Sequence, residues 1–197
     1  MPRGALLFPA QPGAPANRSE LDRLVKFEAV TQKNGRTEQY LFVERAEQIV
    51  ALAKVQCVEF HGWGSRAGAV ETPDRLVIDL DPDPALPFAA VRDAALQVRR
   101  AFDALGLESF ALLTGGKVVH VVVPLAPAAK WGEVRDFAKR LCTALATNEP
   151  ERFTIALPKK DRRGRIFLDF LRNQRTATAI MPYSARARPG MPVGGAG

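Results

Sequence analysis

The sequence predicts an α+β fold: a split βαβ (RRM-like) module with one open sheet face, plus a small N-terminal subdomain of hairpin, helix and strand. The 197 residues are 47% hydrophobic and 25% charged, which is typical of a globular protein that buries a core. From Arg75 onward, segments with strand and helix periodicity follow in the order strand, helix, strand, strand, helix, strand. Aspartates then alternate with aliphatic residues in two of the strands, which suggests that one sheet face is not buried.

The ends of the chain predict flexible tails on either side of one domain. Residues 1–20 are rich in Pro, Gly and Ala without periodicity, and residues 194–197 read GGAG. We therefore expect a single domain over residues 21–193. Its N-terminal subdomain occupies residues 24–70, and the split βαβ module lies within residues 71–193.

The N-terminal subdomain begins with a predicted hairpin. LVKFEAV and EQYLFVE flank TQKNGRT, in which the Asn34-Gly35 pair favours the left-handed geometry of a tight turn. RAEQIVALAK then predicts a short helix. VQCVEFHGWG predicts a strand that ends in an aromatic corner.

The elements of the split βαβ module follow in order. RLVIDLD is a predicted strand, and FAAVRDAALQVRRAFDAL has the apolar spacing of a helix face closed by Gly106. SFALL and VVHVVV, joined by TGGK, predict a hairpin, WGEVRDFAKRLCTALA repeats the helical spacing, and RIFLDFL is the last strand. In this topology the first strand is central, the third and fourth flank it, and both helices cover one face.

Three aspartates are predicted to project from the open face. Alternate strand residues share a face, so Asp79 and Asp81 lie opposite the aliphatic side of their strand, as Asp169 does in the fourth strand. Neighbouring strands are about 4.8 Å apart, which brings Asp169 close to the pair. Converging carboxylates repel unless one is protonated or a divalent cation lies between them, and oxygen donors suit Mg²⁺ or Mn²⁺. The alternative is a strand that ends in a turn, with aspartates capping the next helix.

Two further segments suggest a site for phosphate. Gly115 and Gly116 in TGGK permit positive φ and bare backbone amides, and Lys117 adds a positive charge, although such a sequence is usually only a turn and lacks P-loop spacing. His120 lies on the strand beside the aspartates, where the alternative is an ordinary core histidine. KKDRRGR, from Lys159, leads into the strand of Asp169 and is either a phosphate-binding or a solvated charge run.

The composition limits the classes of binding partner and the cellular compartment that we expect for this protein. A net charge of +7 suits a polyanionic partner such as nucleic acid or a nucleotide. Cys57 and Cys142 have no CxxC spacing, which favours free thiols in a reducing cytosol over a disulfide or a thiolate metal site. The longest apolar run falls short of the roughly 20 residues that span a bilayer, and the N-terminus is a poor secretory signal. We expect a cytoplasmic protein without a membrane partner, in an oligomeric state that the sequence leaves open.

These segments together resemble a known family. RLVIDLDPDP, LLTGGKVVHVVVPL and RRGRIFLDFLRN look like the three motifs of the archaeo-eukaryotic primase superfamily, in particular the polymerase domain of bacterial DNA ligase D. The similarity continues through VEFHGWGSR and YSARARPGMPV and covers roughly residues 24–193 in unbroken order. The second motif departs from the family pattern Lys-Thr-Ser-Gly-Gly-Lys-Gly at Leu112, Leu113, Thr114 and Val118. The stretch before Leu24 is also several dozen residues shorter than is usual in the family, so the resemblance implies an N-terminally shortened member.

The resemblance implies a template-dependent nucleotidyltransferase that adds NTPs or dNTPs to a 3′-hydroxyl in DNA break repair by non-homologous end joining. The chemistry would be two-metal phosphoryl transfer in a catalytic palm, with two Mn²⁺ or Mg²⁺ ions. The implied partners are DNA ends, a DNA ligase and an end-binding protein. Asp79 and Asp81 would bind both ions, and Asp169 would complete the site of the ion that activates the 3′-hydroxyl.

Other positions that match the family motifs would contact nucleotide or DNA. Those implied for the incoming nucleotide are Thr114, Gly115, Gly116, Lys117, His120, Arg165 and Arg172. Those implied for DNA are Arg162, Arg163, Arg186 and Arg188. His61 and Trp63 match a family corner near the site, where a structural role is at least as well supported.

Two other function classes remain open on the sequence. One is a truncated, catalytically weak relative that binds single-stranded nucleic acid or a repair partner through its open sheet. The other is a metal-dependent phosphoesterase that uses the same three carboxylates. TGGK and the basic KKDRRGR segment suit a triphosphate better than a hydrolytic water.

Overall fold

A computed structural model describes the backbone of residues 6–9 and, with side chains, residues 25–32, 34–54, 57–186 and 189–196. Over these ranges the protein contains three α-helices and two larger sheets, which confirms the predicted α+β class. None of the helices in the described ranges has the length and apolar character needed to cross a membrane.

The N-terminal part of the described chain forms an antiparallel sheet and one helix. Its elements are β1 (Leu6–Pro9), β2 (Lys26–Thr31), β3 (Thr37–Val43), α1 (Ala46–Lys54), β4 (His61–Trp63), β5 (Ser65–Arg66) and β6 (Ala69–Pro73). The described strands of this sheet have the order β2-β3-β1-β5-β6. The hairpin prediction is confirmed, because Gly35 has a φ of +80° and the Asn34 side chain accepts a hydrogen bond from the Arg36 amide.

The remaining elements form a larger sheet and its two covering helices. They are β7 (Arg75–Pro82), α2 (Phe88–Asp103), β8 (Phe110–Leu113), β9 (Val119–Pro124), α3 (Trp131–Asn148), β10 (Phe153–Thr154), a 3₁₀ turn (Lys159–Arg162), β11 (Ile166–Asp169), β12 (Thr178–Ile180) and β13 (Gly195–Ala196). The described strand order is β10-β11-β7-β9-β8-β13, and β12 pairs with β4. The central β7 therefore lies between the third and fourth strands of the split βαβ module, as predicted.

Helices α2 and α3 bury the aliphatic face of this sheet. Leu76, Ile78 and Leu80 of β7 belong to one core with Ile166 and Leu168 of β11. The same core includes apolar side chains of both helices, namely Val91, Ala94, Val98, Phe102, Val134, Ala138 and Cys142. Because side chains alternate along each strand, Asp79, Asp81 and Asp169 are left on the opposite face.

The predicted tails are wrong where the structure describes them. Leu6–Pro9 is a strand that lies between β3 and β5, and Gly195–Ala196 pairs with β8. In both places an otherwise open strand edge offers backbone hydrogen bonds, and composition alone does not reveal such a partner. The other residues of the predicted N-terminal tail lie outside the described ranges.

Over the described residues 57–64 of the predicted strand VQCVEFHGWG, only His61–Trp63 pairs with another strand, so this part of the strand is shorter than expected. The preceding residues are held by hydrogen bonds from a distant segment. The Phe60 amide donates to Ser184 Oγ at 2.6 Å, and the Phe60 carbonyl accepts from the Met181 amide. Both cysteines are free thiols, as predicted, and burial raises the pKa of Cys142 to about 12.

The C-terminal segment folds back as a narrow ribbon beside β8. Ala185 pairs with Val193, and the Gly194 amide donates to the Ser184 carbonyl. A Cβ atom at Gly194 would lie 2.8 Å from the Leu113 carbonyl oxygen, whereas a Cβ at Gly195 would meet nothing within 4 Å. The close approach of the ribbon to β8 therefore requires glycine at position 194.

We expect Gly194→Ala to lower the free energy of unfolding by about 1–3 kcal/mol, because the added methyl group must push two backbone segments apart. Urea denaturation measures the change. Gly195→Ala is the matched control and should be close to neutral, since its added methyl group has open space. Equal stabilities of the two variants would show that the ribbon does not approach β8 as closely as described.

Candidate active site on the open face of the sheet

The strand register brings three polar side chains into one row across the centre of the open face. Asp79 lies directly opposite Asp169 of β11 on one side and opposite His120 of β9 on the other. Asp81 lies two residues further along β7, opposite Phe167. Asp79 is 3% exposed and His120 is 4% exposed, so the middle of the row is buried.

Two arginines neutralise the carboxylates. Arg172 places its guanidinium 3.0 Å from Asp79 Oδ2 and 3.8 Å from Asp169 Oδ2. Arg162 donates to Asp81 Oδ2 at 3.1 Å and lies over the Phe167 ring, 3.7 Å from its centroid. His120 Nε2 is 3.6 Å from Asp79 Oδ2. Of the nucleotide-binding residues that the resemblance implies, Arg172 and His120 thus directly border the aspartates.

The three carboxyl groups differ in the direction of their pKa shifts. Burial raises the pKa of Asp81, and the charge of Asp79 raises it further. Burial is also the largest cause of the raised pKa of Asp169. Burial alone would raise the pKa of Asp79 too, but the adjacent His120 and Arg172 together lower it below the ordinary value. Asp79 is therefore the carboxylate that its surroundings hold most firmly in the ionised form.

The donor set fits a hard divalent cation, although the carboxylates are paired with arginines in this structure. Asp79 Oδ1 is buried and lacks a hydrogen-bond partner among the described residues. This oxygen is therefore available to bind a ligand. Carboxylate oxygens are the atoms that Mg²⁺ and Mn²⁺ prefer. In the described ranges, no three His, Cys, Asp or Glu side chains converge as a preformed metal site. The metal site remains a prediction, and a cation that also used the Oδ2 atoms of Asp79 and Asp81 would compete with Arg172 and Arg162 for them.

The TGGK loop between β8 and β9 is packed from both sides. Thr114 is buried and donates through Oγ1 to the Val118 carbonyl at 2.8 Å. Gly115 has a φ of +76°, and a Cβ atom there would lie 3.0 Å from Arg186 Cγ. The exposed Lys117 ammonium donates to the Pro84 carbonyl at 2.7 Å, across the loop that follows β7. The loop therefore lies beside the chain that leaves Asp81, as a nucleotide site spanning both would require.

The remaining predicted basic residues have different surroundings. Arg186 is 3.3 Å from Glu59 and donates to the Thr114 carbonyl, so it joins the TGGK loop. Arg165 donates to the carbonyls of Pro150 and Asp161, and the structure does not bring its guanidinium into the row of aspartates. Exposed Arg163 lies next to Arg162, and Arg188 lies outside the described residues.

Sequence reasoning missed two residues that shape the site. Asp83 accepts hydrogen bonds from the Ala85 and Gly164 amides, so this aspartate of DLDPDP caps turns. The alternative that these aspartates cap the next helix is not met by it, because the N-cap of α2 is Pro87 without a side-chain hydrogen bond. The Gly164 contact also fixes the turn that precedes β11. Asn173 is 1% exposed and binds the backbone of β7 at Val77 with its side chain. The available signal was the position of Asn173 two residues after the predicted last strand, where β11 no longer pairs with β7.

A pocket of about 140 Å³ adjoins the row of aspartates on the open face. Val77, Leu112 and Val122 supply apolar lining, and His120 and Arg172 supply polar groups.

The family model for the LigD primase-polymerase domain matches residues 13–195 of this chain. The chain belongs to the LigD primase-polymerase family. The multifunctional non-homologous end joining protein LigD of Pseudomonas aeruginosa is 42% identical over 153 residues, which is 78% of this chain and 18% of that protein. The protein of the same name from Mycolicibacterium smegmatis is 31% identical over 162 residues, 81% of this chain and 21% of that protein. This primase-polymerase chain therefore spans about a fifth of the length of these relatives.

The fold of this LigD primase-polymerase chain is also found in a solved structure. The polymerase domain from Mycobacterium tuberculosis ligase D, in complex with DNA, superposes with a TM-score of 0.82 at 26% sequence identity. The match covers all of this chain and 73% of that one. The resemblance read from the three sequence motifs is confirmed by the family match and by this fold.

The opposite pKa shifts of Asp79 and Asp81 predict opposite effects of neutralisation at pH 7. Asp79→Asn should lower the free energy of unfolding by about 1–3 kcal/mol, since it loses charge-assisted contacts with Arg172 and His120. Asp81→Asn should leave the stability unchanged or raise it, because its ionised form is disfavoured in the fold. Urea denaturation of both variants in metal-free buffer measures the two signs.

The pH dependence provides the control. Asp79 has a lowered folded pKa, so its stabilisation is present above its unfolded pKa of about 3.9 and is lost as the pH falls through the folded pKa. Asp81 has a raised folded pKa, so its ionisation destabilises the fold. This loss of stability is absent below the unfolded pKa and is complete once the pH has risen through the higher folded pKa. The deficit of Asp79→Asn should therefore shrink in acid. A deficit of the same size for both variants at pH 7 would contradict the described charge pairing.

Proposed function

We propose that this chain is a template-dependent nucleotidyltransferase that adds NTPs or dNTPs to the 3′-hydroxyl of a DNA end during break repair by non-homologous end joining. The observation that carries the proposal is the row Asp169, Asp79 and His120 across three adjacent strands, with Asp81 beside it. It occurs in a chain of the LigD primase-polymerase family. The names of the relatives, which state a role in end joining, support the same process.

The aspartates would hold two Mn²⁺ or Mg²⁺ ions. When bound, such ions stabilise the charge on the attacking and leaving oxygens of phosphoryl transfer. Asp79 and Asp81 would bind both ions, and Asp169 would complete the site next to the primer 3′-hydroxyl. Asp79 Oδ1, which has no hydrogen-bond partner among the described residues, supports this assignment, because a buried carboxylate oxygen without a partner is costly unless a ligand satisfies it.

The incoming nucleotide would lie between the aspartates and the TGGK loop. Lys117 and Arg172 supply positive charge on two sides of this space, and His120 borders Asp79. Thr114 and Gly115 give the loop its fixed shape, because the Thr114 hydroxyl is bonded within the loop and Gly115 adopts positive φ. The chain's own residues would thus bind and orient the triphosphate while the sheet keeps the aspartates in place.

The DNA would approach along the basic segment that precedes β11. Arg162 and Arg163 lie in or next to this segment, and Arg186 joins the TGGK loop to the C-terminal ribbon. The net charge of +7 favours a polyanionic partner, and the structural neighbour was solved in complex with DNA. A DNA ligase and a DNA-end-binding protein would be the further partners, as the sequence resemblance implies.

Primer extension on a recessed DNA end, with Mn²⁺ or Mg²⁺ and either NTPs or dNTPs, tests the function. We expect product with the wild-type chain and its loss in Asp79→Ala and Asp81→Ala. Asp93→Ala is the control, because Asp93 is an exposed carboxylate on α2. Wild-type activity in a folded Asp79→Ala/Asp81→Ala double variant would exclude this site. Salt-sensitive DNA binding without any transfer would instead favour a binding module.

Replacement of Lys117 separates nucleotide binding from folding. Lys117→Ala should raise the apparent KM for the nucleotide about tenfold, as expected for the loss of one charge-assisted phosphate contact. Because Lys117 is exposed, the melting temperature of the Lys117→Ala variant should differ little from that of the wild type. Lys139→Ala, at an exposed position of α3, is the charge-matched control and should leave KM unchanged. A stability loss without a change in KM would mean that Lys117 serves only the loop.

A further inference from the structure

Asn173 replaces a missing strand residue at the edge of the active site. β11 pairs with β7 only as far as Asp169, which lies opposite Asp79. Beyond this point the backbone of Val77 would have no partner on that side. The Asn173 carboxamide accepts from the Val77 amide at 2.8 Å and donates to the Val77 carbonyl at 2.7 Å. One side chain thus makes the pair of bonds that a continuing strand would have made.

The same carboxamide also closes the turn that follows β11. Its nitrogen donates to the Phe170 carbonyl at 2.9 Å, and the backbone amide of Asn173 donates to the same carbonyl at 3.2 Å. The chain between Asp169 and Asn173 is therefore fixed at both ends to β7. Only a short side chain with an acceptor and two N–H donors can make all three contacts.

The fixed turn carries two of the groups that surround Asp79. Asp169 Oδ1 accepts from the Leu171 amide inside the turn at 2.7 Å. Arg172, the residue before Asn173, reaches Asp79 Oδ2 at 3.0 Å. The positions of the Asp169 carboxylate and the Arg172 guanidinium both depend on the path of this turn, and Asn173 determines where the turn ends.

We infer that Asn173 is a positioning residue of the active site, which holds Asp169 and Arg172 in place against Asp79. It does not touch the row of aspartates itself and acts through the backbone of β7 and the turn. What the positioned groups bind rests on the proposed function, but their placement does not. Loss of Asn173 should therefore lower stability and release the Asp169 carboxylate from its place beside Asp79. We expect the loss of this carboxylate ligand to weaken divalent-cation binding by more than the release of Arg172 from Asp79 assists it.

The test compares Asn173→Ala and the milder Asn173→Ser with a control that is equally buried but distant from the site. Gln48 is 3% exposed, and its side chain accepts from the Glu44 and Arg45 amides before α1. Gln48→Ala should cost stability without touching the aspartates. Two measurements are made on the full chain: amide hydrogen exchange by peptide, and melting temperature as a function of Mn²⁺ concentration.

We expect exchange in the peptides containing residues 76–78 and 169–173 to accelerate in both Asn173 variants, while α2 stays protected. The Mn²⁺ midpoint of the melting shift should rise about tenfold in Asn173→Ala, less in Asn173→Ser, and not at all in Gln48→Ala. Unchanged exchange in these peptides would overturn the inference. So would a Mn²⁺ midpoint that moves equally in the Gln48 control.

The exchange measurement separates this inference from the proposed function. If the wild-type chain shows no Mn²⁺-dependent shift, the cation site fails, and the proposed chemistry with it. The exchange of residues 169–173 then decides alone whether Asn173 places the turn. If Asn173→Ala does not fold, the graded Asn173→Ser variant supplies both readouts.

Discussion

The carboxylate of Asp79 lies 3% exposed in the middle of a sheet, where an uncompensated charge would cost several kcal/mol. Arg172, in the turn after β11, supplies a compensating positive charge 3.0 Å from Asp79 Oδ2, and His120 of the neighbouring strand lies 3.6 Å from the same oxygen. This requirement explains why the polar row is confined to one face. The opposite face of the same strands is a continuous apolar core under α2 and α3.

Charge compensation by side chains also gives the site its chemical character. Both close contacts to Asp79 involve Oδ2, while Oδ1 lacks a partner among the described residues. Asp81 and Asp169 have raised pKa values, which reflects their burial first and, in part, the charge of Asp79. A divalent cation would satisfy the free oxygen and relieve the repulsion, and it would compete with arginines that now neutralise the same carboxylates. The site thus combines a buried anionic centre with the cationic side chains of Arg162 and Arg172.

Much of this arrangement could be predicted from the sequence, because strand alternation and register are local in origin. The alternation in RLVIDLD and RIFLDFL places Asp79 and Asp169 on one face, and the split βαβ topology makes their strands neighbours. What the sequence could not give were contacts between distant segments. Three such contacts join residues that are 72 to 96 positions apart in the sequence. They are the pairing of Gly195–Ala196 with β8, the contact of Arg186 with the TGGK loop, and the contact of Asn173 with Val77. Such contacts depend on which backbone groups are left unpaired once the sheet has formed, and periodicity does not reveal them.

The central claim is that the buried Asp79 carboxylate anchors a divalent-cation site on the open face. Anomalous diffraction from crystals grown with Mn²⁺ and a nucleotide tests it directly. The account predicts a Mn²⁺ peak at about 2.1 Å from carboxylate oxygens of Asp79 and Asp81, with Arg172 displaced from Asp79 Oδ2. A saturating Mn²⁺ concentration that gives no peak there, with Arg172 still paired to Asp79, would contradict it.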